Sequence, residues 1–243
     1  MPNYNSEQYI SDAIESVLAQ TYQDWEMLIV DDCSTDRSYE IIESYARKDS
    51  RIKAYRTERH CGSPGLPRNV AVGHARGRYI AFLDSDDQWM PEKLESQLRL
   101  FESADDAAVV FSFYEKISES GERYDRIVKS PSTVSYKQLL KGNVIGCLTG
   151  MYDSHKVGKI PLANIGHEDY LMWLTILKTG FCARNTNNVQ ALYRVRNRSF
   201  SANKLKAAKW QWQIYRRSEE LGVLFSIYNF MFYACKALRK SLK

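Results

Sequence analysis

The stretch that decides the fold is Tyr79-Ile80-Ala81-Phe82-Leu83-Asp84-Ser85-Asp86-Asp87-Gln88-Trp89-Met90-Pro91. Its first five residues are an apolar run of strand length, which suits a strand that is covered on both faces. Pro91 is well placed for a first helical turn, and a helical pattern of apolar residues follows it at Leu94, Leu98 and Phe101. The sequence therefore predicts a buried strand, a short acidic loop and a helix.

The acidic loop carries Asp84, Asp86 and Asp87 at the end of the predicted strand. Ligands of open α/β sheets bind just beyond the carboxyl ends of the strands. Carboxylates this close repel one another unless a cation neutralises them, and Mg2+ or Mn2+ shared with substrate phosphates is the natural partner. Aspartate-rich turns also occur as solvated caps of the following helix. The triplet alone leaves the metal site and the cap open.

The first hundred residues alternate helical and strand patterns, which predicts a parallel sheet. Residues 25–30 are typical of a second buried strand, and Asp31 and Asp32 follow it directly. A short strand is expected over 52–55, and residues 1–5 have the composition of a turn with no strand before it. Two acidic strand ends on one edge favour a composite site over two unrelated helix caps.

The second half of the chain has weaker patterns. They predict a strand over 107–113, a hairpin within 115–132 and an edge strand over 190–193. Glu168 and Asp169 precede a helical pattern, and the dipole of a helix favours acidic residues in its first turn. On these residues alone, the acidic pair indicates only a helix start.

Composition limits the class of protein. The 243 residues are enough for one large α/β domain or for two small lobes that share a core. The five cysteines form no Cys-x-x-Cys pair, and the sequence shows neither a signal peptide nor an apolar run of about 18 residues. These observations predict a protein of the reduced cytoplasm.

The net charge of +5 is unevenly distributed. The tail, residues 203–243, contains nine basic and two acidic residues and so carries +7, which leaves −2 for the rest of the chain. A body without excess positive charge does not suit nucleic-acid binding, so we expect no nucleic-acid partner.

The tail is strongly apolar between Leu221 and Leu238, and Trp210 and Trp212 lie among lysines and arginines. Tryptophan beside basic residues suits the headgroup region of a membrane. We therefore expect peripheral contact with the inner face of the plasma membrane. The alternative is that the tail packs on the rest of the chain or on a second subunit, as in a homodimer.

Several motifs occur in an order that resembles the family 2 glycosyltransferases, which have the GT-A fold. The resemblance runs from residue 2 to about residue 204. It rests on Pro2-x-Tyr4-Asn5, Val30-Asp31-Asp32-x-Ser34-x-Asp36, Arg68-Asn69, Gly77-x-Tyr79-Ile80-Ala81-Phe82-Leu83-Asp84-x-Asp86-Asp87, Glu168-Asp169-x-x-x-Trp173 and Tyr193-Arg194. It implies an α/β fold, Rossmann-like, in which a mostly parallel central sheet is flanked by helices and followed by a C-terminal helical tail.

The resemblance also implies an activity and a division of the chain. The activity is an inverting transfer of a sugar from a nucleotide-sugar, such as a UDP-sugar, to a saccharide acceptor on a lipid carrier, in surface polysaccharide synthesis. Residues 1–105 would bind the nucleotide-sugar and residues 106–202 the acceptor, as halves of one domain, before the tail over 203–243.

The resemblance assigns the donor residues as follows. Pro2, Tyr4 and Asp32 line the pocket for the base, and Asp84 lies near the ribose. Arg68 suits either a nucleotide or diphosphate contact or a surface ion pair, because its planar fork matches phosphate oxygens.

The same resemblance assigns the chemistry. Asp86, with Asp87 beside it, would hold Mn2+ or Mg2+ on the diphosphate, and Asp169 of the Glu168–Asp169 pair would be the general base. A group of arginines near the site could clamp the pyrophosphate or form a solvated face, and both readings stay open for Arg194, Arg196 and Arg198.

The sequence departs from the family pattern at its first residue. Family members usually have a buried strand before the Pro-x-Tyr-Asn turn, and Met1 stands in that place here. We expect that about six added apolar residues, a typical strand length, raise the melting temperature.

Two other classes of function remain as alternatives. A nucleotidyltransferase that makes nucleotide-sugars usually has a glycine-rich phosphate loop with a lysine near the N-terminus, and no such loop is visible. A non-catalytic module that binds nucleotide-sugars or membranes would keep UDP binding in an Asp169→Asn variant and have no turnover to lose.

Overall fold

The computed structural model describes residues 1–196 and 204–241, which form two sheets flanked by helices. The first sheet is parallel, with strands in the order β1 (Pro2–Asn3), β2 (Met27–Asp31) and β3 (Ile52–Arg56). Its connections contain α1 (Ile10–Leu18) and α2 (Ser38–Lys48), and α3 (Gly65–His74) follows β3. The parallel sheet predicted for the first hundred residues is confirmed for these three strands. It is wrong for the strand that begins at Tyr79, which belongs to the second sheet and pairs antiparallel there.

The second sheet has the strand order β4-β9-β6-β10-β5, with β7 beside β6 and β8 beside β10. The pair of β6 and β10 is parallel, and the other pairs of this sheet are antiparallel. Its strands are β4 (Tyr79–Ala81), β5 (Gln88–Trp89), β6 (Ala107–Ile117), β7 (Arg123–Val128), β8 (Thr133–Val134), β9 (Met151–Asp153) and β10 (Cys182–Arg194). The helices after β4 are α4 (Lys93–Ser103), α5 (Tyr136–Leu139), α6 (Ser154–Val157), α7 (Glu168–Leu177), α8 (Lys204–Gln213) and α9 (Val223–Ser241).

Amphipathic helices cover the sheets, as the apolar periodicity predicts. Ile10, Ala13 and Ile14 on one face of α1 are fully buried, in a core that also contains Ile29 and Ile42. Each fully buried aliphatic side chain contributes roughly 1.5–3 kcal/mol to folding. The predicted hairpin is confirmed as β6 and β7, which pair antiparallel across a turn.

Two predictions about strands are wrong. Residues 190–193 do not form an edge strand, because they belong to β10, which lies between β6 and β5. The polar residues and register shifts between Asn185 and Ala191 hide the continuity of this strand from a sequence pattern. The predicted turn over residues 1–5 includes a short strand, because Pro2 and Asn3 pair with Val30 and Asp31.

A cavity of about 630 Å³ separates β2 from β4. Met27 and Leu28 line one side, Ile80 and Phe82 line the other, and β1 is too short to fill the space between them. The amine of Met1 donates a hydrogen bond to the backbone oxygen of Leu28 at 2.8 Å. Burial, with a smaller contribution from the charge of Arg68, lowers the pKa of this amine to about 5. The two sheets therefore flank a slot that is lined mainly by apolar side chains.

The tail packs on the body through α8 and the π-helical turn that follows it. Ile214 and Tyr215 are fully buried in the same core as Tyr170 and Trp173. Trp210 packs against Gly166 and His167, and Trp212 packs against Phe230. Both rings remain half-buried, so their expected position at the membrane headgroups stays a prediction. The alternative of a tail that packs back on the chain therefore holds for this part.

Helix α9 exposes its apolar residues and buries its polar ones. Ser226 and Asn229 are buried, whereas Leu224 is 84% and Met231 is 62% exposed. Further large apolar side chains on the exposed surface are Val223, Phe225, Ile227, Tyr228 and Phe232. Across residues 1–196 and 204–241, no helix has both the length and the apolarity that a bilayer span requires.

Candidate functional site

The candidate site lies where the loops after β1, β2 and β4 meet the turn before α7. Asp31, at the end of β2, is fully buried and accepts hydrogen bonds from the side chain of Asn3 at 2.8 Å and the backbone N–H of Ser34 at 3.0 Å. A hydrogen bond of 2.8 Å between the hydroxyls of Ser6 and Ser85 joins the first loop to the aspartate loop. Asp31 therefore holds these loops in place and is too buried to contact a ligand.

Asp32, Tyr4 and His60 form one end of the site. The carboxylate of Asp32 is buried and accepts hydrogen bonds from the backbone N–H of Cys61 at 2.9 and 3.0 Å and from Thr57 Oγ1 at 2.9 Å. Burial acts to raise its pKa, but the donors on Cys61 and Thr57 outweigh burial and the pKa is lowered. Tyr4 is 45% exposed and stacks on His60, with ring centroids 4.1 Å apart. The structure thus brings an ionised carboxylate and an aromatic ring together, with His60 stacked on that ring.

Arg68 connects the aspartate loop to the helix that carries the predicted base. Its guanidinium makes ion pairs with Asp84 Oδ1 and, at 2.6 Å, with Glu168 Oε1. The side chain is only 5% exposed, and its Nε has no hydrogen-bond partner among the residues that the structure describes. Burial acts to lower the pKa of Arg68, but Asp84 and Glu168 raise it well above its usual value. The surface ion pair considered for Arg68 is therefore wrong: the group is a buried cation at the centre of the site.

Asp86 and Asp87 point to different partners. The side chain of Asp86 is 25% exposed and lies 3.1 Å from Arg196 Nη1, while Asp87 is buried and accepts a hydrogen bond of 2.8 Å from the backbone N–H of Arg194. Burial first, and then the charge of Asp84, raise the pKa of Asp86. Burial and the neighbouring charges of Asp86 and Asp84 raise the pKa of Asp87 well above its usual range. The repulsion expected among the three carboxylates is present in the fold.

The arginines after β10 have separate roles. Arg194 is 2% exposed in its side chain, and its guanidinium donates to the backbone oxygens of Asp86 and Glu119 and to Asp12 Oδ2, at 2.8, 2.9 and 3.0 Å. Because all three nitrogens of its guanidinium donate hydrogen bonds within the protein, Arg194 is a structural residue. It is neither a clamp for the pyrophosphate nor part of a solvated face. Arg196 is 36% exposed and contacts Asp86, and Arg198 lies outside the described residues.

Glu168 and Asp169 begin α7, as predicted. His167, just before them, has a left-handed backbone conformation with φ of 63°, which turns the chain into the helix. Asp169 Oδ2 accepts a hydrogen bond of 3.1 Å from the side chain of Asn143. Burial raises the pKa of Asp169 and of Glu168, and the charge of Arg68 opposes both shifts. Asp169 therefore combines a raised pKa with a side chain that is only half-buried.

The sequence reasoning missed His60, Thr57 and Asn143, all of which contact predicted site residues. They come from loops without a regular pattern, and their partners lie 25 to 28 residues away along the chain. Pro2 lies in β1 as a buried residue beside this loop cluster. The arrangement offers a carboxylate that can bind a nucleotide base, at Asp32, and a buried cation, at Arg68. It also offers an acidic loop and a carboxylate that can accept a proton, at Asp169.

A divalent cation fits part of this arrangement. Within the described residues, no three His, Cys, Asp or Glu side chains are grouped as a complete metal site. Mg2+ usually takes only one or two carboxylates and completes its shell with water and substrate phosphates. Asp86 and Asp84 are partly exposed and have hard oxygen donors, whereas the carboxylate of Asp87 is buried against Arg194. The fit is better at Asp86 than at Asp87.

Comparison with known sequences identifies relatives over nearly the whole chain. The family model for glycosyl transferase family 2 matches residues 1–153. The "Putative teichuronic acid biosynthesis glycosyltransferase TuaG" of Bacillus subtilis (strain 168) is 42% identical over 242 residues, which cover 99% of this chain and 95% of that protein. The UDP-Glc:alpha-D-GlcNAc-diphosphoundecaprenol beta-1,3-glucosyltransferase WfgD of Escherichia coli is 39% identical over 216 residues, which cover 88% and 83%.

Comparison with solved structures supports the fold. S. aureus TarS 1–349 in complex with UDP-GlcNAc has a TM-score of 0.72 at 22% identity, with 96% of this chain and 70% of that chain covered. The mannosyltransferase PcManGT from Pyrobaculum calidifontis, in complex with GDP-Man and Mn2+, has a TM-score of 0.70 at 16% identity, with 99% and 73% covered. At these identities the neighbours show the fold, which is the expected α/β GT-A type. With the family model and two relatives above 30% identity in agreement, the chain belongs to glycosyl transferase family 2.

Proposed function

We propose that this glycosyltransferase moves a sugar with inversion from a UDP-sugar to a lipid-linked saccharide, in the synthesis of a surface polysaccharide. The observation that carries the proposal is the bridge from Asp84 through Arg68 to Glu168, because it joins the acidic loop to the helix that presents Asp169. The printed names of the relatives support the substrates: WfgD is named for UDP-Glc and a diphosphoundecaprenol acceptor, and TuaG for teichuronic acid.

The donor nucleotide would bind at the carboxyl ends of β1 and β2. A base stacked on the ring of Tyr4 would donate its ring N–H to the carboxylate of Asp32, which is ionised and held by Thr57 and Cys61. Pro2 would form the wall of this pocket, and Asp84 would receive the ribose hydroxyls. These contacts suit uracil, because the N3 of uracil carries a hydrogen.

The diphosphate would lie over the acidic loop. Asp86, with Asp84 or Asp87 as its neighbour, would hold the cation, and bound Mn2+ or Mg2+ supplies neutralisation of the leaving diphosphate. Arg196, which contacts Asp86 at 3.1 Å, is placed to turn towards the phosphate oxygens. The PcManGT structure, which shares this fold, contains Mn2+. Asp86, with Asp84 or Asp87, would provide the ligands for such a cation in this chain.

Asp169 would act as the general base. The acceptor hydroxyl transfers its proton to Asp169 while its oxygen forms a bond to the anomeric carbon, and the bond from that carbon to the UDP oxygen breaks with its electron pair. Asn143 orients the carboxylate, and Arg68 keeps it ionised against the effect of burial. A base near the operating pH is the most effective one, so a moderately raised pKa suits this role.

The test is a transfer assay with the purified protein, Mn2+, a set of UDP- and GDP-sugars and a synthetic sugar diphospho-lipid acceptor. We expect transfer from one UDP-sugar and an anomeric configuration in the product opposite to that of the donor. A product of the same configuration would contradict inversion. A parallel incubation with UTP and a sugar phosphate tests the nucleotidyltransferase alternative, which release of pyrophosphate there, with no transfer to the lipid in the first assay, would establish.

We propose that α9 holds the protein at an anionic membrane surface, where a lipid-linked acceptor resides. The helix presents Leu224 and Met231 to solvent while Ser226 and Asn229 face the protein, which is the reverse of an ordinary surface helix. Lys141 lies over the ring of Phe232 at 4.7 Å, so positive charge borders the apolar face. Basic residues near an anionic leaflet contribute about 1 kcal/mol each, in addition to the apolar burial.

Vesicle flotation tests this attachment. The full chain should float with anionic vesicles and less so in high salt, and Leu224→Ser with Met231→Ser should abolish flotation. Leu205→Ser is the matched control, because Leu205 on α8 is 85% exposed but lies outside the apolar face of α9. If the double variant floats normally, α9 does not bind the membrane; if it converts a dimer to a monomer instead, the face is a subunit interface.

A further inference from the structure

His60 makes two contacts that resemble those of a nucleotide base. Its ring stacks on Tyr4 with the centroids 4.1 Å apart and the planes 25° apart. Its Nδ1 lies 2.8 Å from Asp32 Oδ2 and 3.2 Å from the backbone oxygen of Asp32. Because both neighbours accept hydrogen bonds, Nδ1 carries the proton and donates. The imidazole thus offers Tyr4 a flat aromatic face and Asp32 a ring N–H.

A uracil bound in the proposed donor site would use the same face of Tyr4 and the same carboxylate. Two rings cannot occupy that position together. We propose that His60 fills the base position of the free protein and is displaced when the nucleotide binds, so that it sets the affinity for the nucleotide. This inference rests on the proposed donor site, and it adds a specificity-determining residue to that site.

The surroundings of His60 permit the displacement. Its side chain is 46% exposed and belongs to the loop between β3 and α3, so its movement leaves the core intact. Gly62, two residues further on, has φ of +71°, and a side chain built there would meet no atom within 4 Å. The loop therefore has open space and a residue with free backbone rotation next to the ring.

Asp32 remains in place when His60 leaves. Its carboxylate still accepts from the backbone of Cys61 and from Thr57, and one position on Oδ2 becomes free. A carboxylate has about four acceptor positions, so the released one can receive the N–H of the incoming base. The exchange replaces the stack and the hydrogen bond of His60 by the stack and the hydrogen bond of the base. The difference in free energy between these two sets of contacts determines the affinity for the nucleotide.

Removal of the competing ring should strengthen nucleotide binding. The apparent dissociation constant equals the intrinsic constant divided by the fraction of protein whose site is open. An aromatic stack with a hydrogen bond keeps the site closed most of the time, so we expect His60→Ala to bind UDP about three- to tenfold more tightly.

Calorimetric titration of UDP in the presence of Mn2+ tests the inference on the wild type, His60→Ala and His74→Ala. His74 is the matched control, because it also stacks on a tyrosine, Tyr55, at 4.4 Å but lies away from Asp32. Tighter binding by His60→Ala alone supports the inference. Equal affinity overturns it, and weaker affinity also overturns it, since His60 would then be a second wall that holds the base.

The same titration separates this inference from the proposed function. If the wild type binds UDP and His60→Ala binds no more tightly, only the role of His60 fails. If none of the three proteins binds UDP, the donor site fails and the inference fails with it.

Discussion

An apolar extension before Met1 should stabilise the protein by filling the slot between β2 and β4. Six added residues span about 20 Å, which is longer than the five residues of β2. A parallel strand in the slot would pair with β2 on one side and β4 on the other, in continuation of β1. The cavity of about 630 Å³ is lined mainly by apolar side chains, so the added residues should be apolar.

The expected gain in stability has two parts, which are the filling of the slot and the removal of a buried charge at Met1. The first part is the balance of burial, hydrogen bonds and ordering. Burial of about four of the six side chains contributes roughly 8 kcal/mol, and about five ladder hydrogen bonds contribute roughly 5 kcal/mol. Ordering six residues costs roughly 9 kcal/mol, which leaves about 4 kcal/mol. For a chain of this size, that corresponds to an increase of about 10 °C in the melting temperature.

The second part is the charge of the Met1 amine. Burial lowers its pKa from 8.0 to about 5, so between these pH values the unfolded chain holds a proton that the folded chain has lost. The stability of a protein that begins at Met1 therefore rises with pH through this window. The cost of the buried amine is at most about 1.4 kcal/mol at pH 7 and about 2.7 kcal/mol at pH 6. An extension converts the amine to an amide and removes this cost.

Thermal unfolding followed by circular dichroism at pH 6, 7 and 8 measures both parts. A six-residue glycine and serine extension is the matched control, because it moves the amine away without filling the slot. The apolar extension should melt highest at every pH, and both extensions should flatten the pH dependence between 6 and 8. If the apolar extension melts no higher than the control at pH 8, the slot does not accept a strand and the reasoning is refuted.

Three further predictions concern single residues. Asp86→Ala should lose the increase in UDP affinity that Mn2+ gives the wild type in calorimetry, with Asp105→Ala as an exposed control; equal affinity of the wild type in EDTA would exclude the cation. Asp169→Asn should bind UDP normally but transfer sugar at least about 10²-fold more slowly in the acceptor assay, and a nearly unchanged rate would assign the base to Glu168 or another group. Lys93 is fully buried, and burial lowers its pKa from 10.5 to about 7, so wild-type stability should rise between these pH values by up to about 1.4 kcal/mol per unit. Chemical denaturation should show that Lys93→Met removes this rise and Lys48→Met, at an exposed lysine over Tyr45, keeps it.

Local patterns were sufficient for the elements that surround the donor end of the site. The face of α1 could be predicted because apolar residues recur at helical spacing, and the strand before Asp84 because an apolar run precedes a charged one. The loops after β1 and β4 do meet, through the hydrogen bond between Ser6 and Ser85, although β2 and β4 belong to separate sheets.

Pairings across long separations could not be predicted in the same way. Arg68 and Glu168 are 100 residues apart, and Arg194 and Asp12 are 182 apart. Nothing in the local sequence of an arginine states whether its partner is water, phosphate or a buried carboxylate. The loop around His60 presents the same difficulty, because stacking on Tyr4 depends on the path of the backbone and not on a repeat.

The contact of Trp210 with Gly166 couples the tail to the turn that precedes α7. The indole occupies the space where any side chain at position 166 would begin, two residues before Glu168. A change from glycine therefore displaces either the tail helix or the turn that precedes α7. In a chain without residues 204–241 that penalty should vanish, so the effects of Gly166→Ala and of tail removal should not add. The residues tolerated just before α7 are thus decided by a helix from the far end of the chain.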